Sequence, residues 1–581
     1  MSWQTSKRKA LLVVVVMITS TLWVQAQYDL NDKMPLNPHL QTGKLANGLT
    51  YYIMNNPKPE QKVELRLVVN AGSICEDPEQ LGLAHMAEHM AFNGTKNFKK
   101  NEIVSFLQDI GVGFGNDLNA YTSFDETVYI LPIPTDKPDN LEKGFQVLED
   151  WAHNVTYKDD DIDGERPIIL EESRLGKGAN ERMFKKILPK LFKGSLYADR
   201  LPIGKDSIIK TFKYDAIRRF YHDWYRPDLM AVLVVGDIKV EDAEALIRKH
   251  FSGLTNPPDE RERKYASVPA YDSSDALVTT DKESVRYQTG LEYPAYKQMP
   301  SVTYGDYRKD LVKDLFTTML NRRMQELTQK ENPPFVFANA SFGGFARGYE
   351  NFSVSAGSGD QPPARALQAA VEEVERVKRF GFTAAELERA KKSMTASYER
   401  MYNDRDKTES YLYVEEFIRN FLQQEPIPGI EKEYYLVQNF VPTITLQEVN
   451  SVADKMKGQQ DYFAYLMGPE KTDVQLPSGT DLLTEIAQVE KKDIKPYEAK
   501  AIASQLLKTI PRPGMVISES QDAKTGTTEL KLSNGITVTL KPTDFKNDQI
   551  LMSASRYGGT SNYGVADKYN AAYAVNVVNA M

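Results

Sequence analysis

The sequence predicts an α+β protein made of duplicated domains, and three observations carry that expectation. Short β-rich runs alternate with stretches of helical periodicity, the 581-residue length exceeds what a single core organises, and a strand-entry motif near the start recurs near the end. Hydrophobic residues make up 41% and charged residues 26% of the chain, ordinary values for a folded protein. The net charge is -8 and no basic stripe with interleaved aromatics occurs, so nucleic acid is not an expected partner. The single cysteine, Cys75, excludes an intrachain disulfide and a cysteine-rich metal site, and reads as a small apolar filler.

Residues 1–26 have the features of an export signal. Lys7, Arg8 and Lys9 precede an almost uncharged apolar run at 10–24, and Val24-Gln25-Ala26 places small residues where a signal peptidase reads. That run is shorter than the roughly 20 residues that span a bilayer, so a cleaved signal is read over a retained anchor and no stable membrane anchor is expected. Export points to a periplasm, with secretion as the other destination.

Beyond the signal, residues 49–54 and 63–70 read as strands split by a turn at 56–60. Helical spacing covers 83–92 and 101–110, and a glycine-rich turn follows at 111–115. That turn neither follows a strand nor opens a helix, so it is not read as a dinucleotide loop. Residues 127–132 read as a strand, two or three helices run through Glu172 and Ile187, and a β-rich run at 229–235 ends in Gly236-Asp237 before a helix at 240–250. Together these form a first domain, 27–254. Residues 255–274, rich in Pro, Ser and charge, read as a linker. A second α+β domain at 275–498 contains helices at 365–379 and 384–401 and a glycine-punctuated hairpin at 343–359. Residues 499–527 read as a second linker, and 528–581 as the opening of a third domain.

The third domain is recognised by repetition. Lys44-Leu45-Ala46-Asn47-Gly48-Leu49-Thr50 recurs as Lys531-Leu532-Ser533-Asn534-Gly535-Ile536-Thr537. A further glycine follows 24 positions later in both copies, Gly72 after Gly48 (72 − 48) and Gly559 after Gly535 (559 − 535). Carried forward, this register sets Ala572 against His85, Val575 against Glu88 and Asn576 against His89, so the second copy lacks the metal-binding side chains. The chain stops a few residues into that copy's helix, and the expectation is a piece of a longer protein.

His85-Met86-Ala87-Glu88-His89 carries the chemistry. Residues four apart on a helix share a face, so both imidazoles can reach one ion. Glu88 borders the same face, where it can take a proton from an attacking water. Peptide-bond hydrolysis needs an activated carbonyl and an activated water, and zinc addresses both. With six histidines in the chain, two at this spacing around a glutamate are a strong signal. Tetrahedral zinc with an open position needs a third protein ligand. Downstream, Glu165, Glu171 and Glu172 lie on a predicted helix, which Pro167, best suited to a first turn, starts near Glu165. Glu165 and Glu172 are two turns apart on one face, while Glu171 points about 100° away. Spacing alone leaves the ligand role open between Glu171 and Glu172, with a solvated acidic face as the bland alternative.

His85 to His89 followed by Glu165 and Glu172 resembles the pitrilysin/insulinase family of metallopeptidases. The resemblance implies one Zn2+ per chain, with His85, His89 and Glu172 as ligands, Glu88 as general base and Glu165 in support. It implies that Asn119, Ala120, Tyr121 and Thr122 form an edge strand that pairs with substrate backbone. It also implies duplicated domains, each an antiparallel-rich sheet packed with helices, in two halves that close as a clam shell with one half lacking zinc ligands. Glu172 stands 83 positions after His89 (172 − 89), more than is usual in the family, and a loop insertion within 158–163 is the expected reason. The function expected is an exported zinc endopeptidase acting on peptides or unfolded polypeptide segments, completed by its missing C-terminal half or a partner subunit. The alternative is a non-catalytic peptide-binding or assembly subunit, against which the intact His85, Glu88 and His89 stand.

Overall fold

In the computed structural model, the described residues are 29–113, 119–176, 178–344, 346–359, 362–458, 461–471, 474–498 and 509–580. The leader at 1–26 and part of the glycine-rich turn at 111–115 lie outside them.

The first sheet comprises β1 (Gln41–Lys44), β2 (Thr50–Asn55), β3 (Lys62–Val69), β4 (Asn119–Thr122), β5 (Thr127–Pro134) and β6 (Met230–Gly236), in the order β1-β2-β6-β3-β5-β4. Only β2 and β6 run parallel; the other pairs are antiparallel. Its inner face packs on α1 (Leu83–Met90), α2 (Pro138–His153), α3 (Asp159–Leu175) and α4 (Val240–Phe251) through Met86, Trp151, Ile169 and Ile247. Cys75 is buried in this core.

The second sheet comprises β7 (Asp275–Asp281), β8 (Gln288–Glu292), β10 (Phe337–Gly343), β11 (Tyr349–Gly357) and β12 (Phe463–Pro469), in the order β10-β11-β8-β12-β7, with the short β9 (Tyr296–Lys297) pairing with β11. Here β7 and β12 run parallel and the rest antiparallel. Followed outward from the parallel pair, β7-β12-β8-β11-β10 repeats β2-β6-β3-β5-β4 in order of appearance and in direction. The duplication is therefore visible in topology. A long helix, α5 (Tyr304–Thr328), occupies the β8-to-β10 connection as α1 occupies the connection from β3 to β4, and it contains no histidine. α6 (Pro363–Phe380) packs on the same sheet, burying Leu367, Val371 and Val374.

The two domains share a third apolar cluster. α7 (Ser410–Gln423) lies among the second domain's helices in sequence, yet Val414, Phe417 and Ile418 pack on Tyr52, Met54, Val68 and Leu233 on the outer face of the first sheet. The Tyr52 and Phe417 rings stack at 5.7 Å, and Tyr52 Oη donates to Asn420 Oδ1 at 2.7 Å. With both faces of the sheet covered, β6 is a continuous apolar run, while β3 buries two charged side chains, Glu64 and Arg66, that pair with each other at 2.9 Å.

Two local expectations are corrected. α3 begins at Asp159, not near Glu165, so Pro167 lies inside it and residues 159–163 are helical rather than an inserted loop. Asp159, Asp160 and Asp161 sit in the first turn, where negative charge is favoured by the helix dipole, and this helps offset the amide bond that Pro167 cannot donate. Within residues 499–527, β13 (Val516–Asp522) pairs antiparallel with β14 (Thr527–Leu532), which pairs in turn with β15 (Thr537–Leu540). β13 is exposed at every position and is held by backbone bonds, so no apolar alternation marks it.

The third segment reproduces the first at a constant offset of 487 (535 − 48). The 3-10 turns Ser73–Cys75 and Pro78–Gln80 have counterparts at Thr560–Asn562 and Val565–Asp567, and α8 (Lys568–Ala580) stands in place of α1. The motif glycines share a left-handed backbone, φ 97 at Gly48 and 85 at Gly535. At 549–556, the counterpart of β3, no strand forms, and Ile550, Leu551 and Met552 are exposed. No helix among the described residues is long and apolar enough to cross a membrane.

Candidate metal centre

α1 is fixed at both ends. Gly82, at φ 103, starts it in a backbone conformation that disfavours side chains. Glu76 Oε1 accepts the N–H groups of Gly82 at 3.0 Å and Ala84 at 2.8 Å, binding donors that a helix start leaves free. At the other end, the Trp151 indole donates to Ala91 O at 3.0 Å. Leu83, Ala84, Met86, Ala87 and Met90 are buried, which turns His85, Glu88 and His89 toward α3 and β4.

Burial pushes the Glu76 carboxyl up to about 8 from an ordinary 4.5, and its Oε2 has no partner among the described residues. An acid raised in this way favours the fold only while protonated. Its contribution is complete below about pH 4.5 and is lost as the pH rises through 8. Gln at this position keeps an oxygen for the two N–H groups and cannot ionise. Glu76→Gln is therefore expected to melt above the parent at about pH 9 and no higher at about pH 5, the gap widening across that interval. A pH-independent difference in thermal melts counts against this account.

His85 Nε2 and His89 Nε2 lie 3.7 and 3.5 Å from Glu172 Oε2, and the three residues form the one metal-capable cluster of His, Cys, Asp and Glu among the described residues. A tetrahedral ion with bonds of about 2.1 Å holds its ligand atoms about 3.4 Å apart, so these donors fit zinc. Burial, with His89 alongside, pushes His85 down to about 3, which keeps its ring in the neutral form a metal needs. Its Nδ1 is buried without a partner among the described residues. Glu171 lies off this group and is engaged by Arg174, at 2.6 and 2.8 Å.

Glu165 reaches the cluster indirectly. Its Oε1 is 2.9 Å from His89 Nδ1, and its Oε2 accepts from Asn93 Nδ2 at 2.6 Å. Burial opposes the charge on each partner. Even so, the contact raises His89 and, with Asn93, lowers Glu165. Such a carboxylate fixes the tautomer that leaves Nε2 free for a metal. Glu88 is 7% exposed, and burial raises its carboxyl. Thr122 Oγ1 donates to Glu88 Oε2 at 2.7 Å. Of the residues expected to bind substrate, Asn119, Ala120, Tyr121 and Thr122 form β4, the edge of the sheet, with Asn119 and Tyr121 exposed. Sequence reasoning missed Asn93 and Glu76. Asn93, one helical turn beyond His89, carried a positional hint; Glu76 carried none.

An inverted histidine motif and a distant glutamate thus converge on the duplicated sheet's first domain as a donor set that could hold a metal ion, the arrangement of a metallopeptidase fold. Residues 51–197 match the family described as Insulinase (Peptidase family M16), and residues 211–394 match Peptidase M16 inactive domain. The chain belongs to the insulinase family of peptidases. It is 30% identical over 530 residues to a Zinc protease PQQL-like from Arabidopsis thaliana, covering 90% of this chain and 52% of that protein. The crystal structure of the periplasmic protease PqqL from Escherichia coli superposes with a TM-score of 0.75 at 27% identity, covering 88% of this chain and 56% of that one. The separate structure of that protease's first half gives 0.74, again at 27% identity, over 81% of this chain and all of the other. The chain thus spans about half the length of the full-length relatives it matches.

Proposed function

We propose that this chain is the zinc-bearing half of a metalloendopeptidase that hydrolyses peptides or unfolded polypeptide segments. The observation that carries the reading is the convergence of His85, His89 and Glu172 beside a buried, hydrogen-bonded Glu88. One zinc ion per chain, held by those three side chains, supplies carbonyl polarisation and an acidified water at neutral pH.

The remaining work falls to the protein's own groups. Glu88 takes the proton of the attacking water and returns it to the leaving amine, and burial brings its affinity for a proton closer to what both steps require. Thr122 holds one Glu88 oxygen. Glu165, steadied by Asn93, holds the His89 ring. Among the described residues β4 pairs with β5 alone, and its other edge offers main-chain groups to an extended substrate within reach of Glu88. A folded protein presents few such strands, so unfolded segments suit the rail.

Two further parts of the proposal rest on sequence and likeness. The basic and apolar leader supports export to a periplasm, where the Escherichia coli relative is described as residing, or secretion. The relatives' greater length and the exposed apolar residues at 549–556 support a complementary half, in the same polypeptide or as a partner subunit. The test pairs a zinc assay with cleavage of a quenched unstructured peptide. One equivalent of zinc and cleavage abolished by a chelator and restored by added zinc are expected; chelator-resistant cleavage by the purified chain defeats the proposal.

A further inference from the structure

The turn at 123–126 joins the edge strand β4 to β5 and also braces the approach to α1. Ser123 N–H donates to Glu126 O at 2.8 Å, while Ser73 and Ile74 N–H groups donate to Ser123 O at 3.1 Å and Phe124 O at 2.8 Å. Gly72 permits that approach, since a Cβ there meets Ser123 O at 2.3 Å. The turn presents two acids, Asp125 and Glu126, and each is met by an arginine from outside the first domain.

Arg263, from the 255–274 segment, donates to Asp125 Oδ1 at 2.8 Å and to Asn70 O at 3.0 Å, with both charged side chains only 5% exposed. Arg347, at the tip of the β10–β11 hairpin, donates to Asn70 Oδ1 at 2.6 Å and pairs with Glu126. Its backbone N–H donates to Tyr197 Oη at 3.0 Å, and Tyr197 Oη donates to Asp125. The neighbouring Ala346 is buried in the core of the first domain. The hairpin tip of the metal-free domain is thus inserted against the turn that carries the edge strand.

We infer that Arg347, aided by Arg263, is a positioning residue for substrate binding: it holds the 123–126 turn so that β4 stays in register beside Glu88. The inference rests on the peptidase reading for its link to substrate, and on the structure alone for the clamp. Removing the guanidinium takes the cationic partner from the half-buried Glu126 and leaves it facing the like charge of Asp125, which drives the turn outward. β4 is the first element to follow, because among the described residues it is paired on one side only.

The test uses the full zinc-loaded chain carrying Glu88→Gln, with and without Arg347→Met. Amide exchange at 119–127 is expected to quicken about tenfold while α1 amides and zinc content stay unchanged. The Kd for a fluorescein-labelled unstructured peptide is expected to rise about tenfold. Arg347→Lys keeps the charge but loses the fork, and gives smaller changes in the same direction; it also serves if Arg347→Met does not fold. Unchanged exchange at 119–127 overturns the clamp, and faster exchange with an unchanged Kd overturns its role in substrate binding. Failure of the peptidase reading shows elsewhere, as absent zinc-dependent cleavage by the chain with Glu88 intact, and leaves both comparisons readable.

Discussion

Glu88→Gln is expected to lower kcat by about 10³-fold while the protein keeps its full complement of zinc. Gln matches Glu in size and keeps an oxygen to accept from Thr122 Oγ1, now 2.7 Å from the carboxylate, so the α1 backbone has no reason to move. What is lost is the capacity to take a proton from water and pass it to the amine. Metal retention follows from position, because Glu88 is not among the three residues whose donor atoms converge. Zinc analysis together with steady-state kinetics on a quenched peptide reads both quantities. Turnover within tenfold of the parent removes Glu88 from the role of base.

The second large effect separates two adjacent acids. Glu172→Gln is expected to weaken zinc binding by more than about 100-fold, because loss of a direct ligand exceeds the 10–100-fold typical of outer-shell partners. Glu171→Gln is expected to leave zinc affinity within about twofold, since its carboxylate serves an exposed pair with Arg174, and such pairs are worth little. Competition with a chromophoric chelator measures both variants against the parent. The reverse order of effects would mean that the α3 register differs from the one described.

The grouping of His85, Glu88 and His89 was legible in the sequence because helical periodicity alone decides that positions 85, 88 and 89 share a face. Glu171 and Glu172 were not separable in that way, since each had a route to the site; the coordinates of α3 and Arg174 divide them. Pro167 misled because a first-turn preference is a local rule, and here three aspartates set the helix start one and a half turns earlier. β13 escaped notice for the opposite reason: a hairpin held by its backbone alone leaves no pattern in Ser, Glu and Gln. The bond from Thr122 to Glu88 spans a separation that no periodicity covers. α7 was not read from the sequence, and its apolar residues Val414, Phe417 and Ile418 do not say which sheet a helix will cover; it covers that of the other domain.

That placement of α7 limits how the molecule can move. Swinging the first two domains apart would strip Phe417 and Val414 from Tyr52 and Leu233 and hydrate both surfaces, so the shared apolar cluster opposes any separation of the two sheets at this seam.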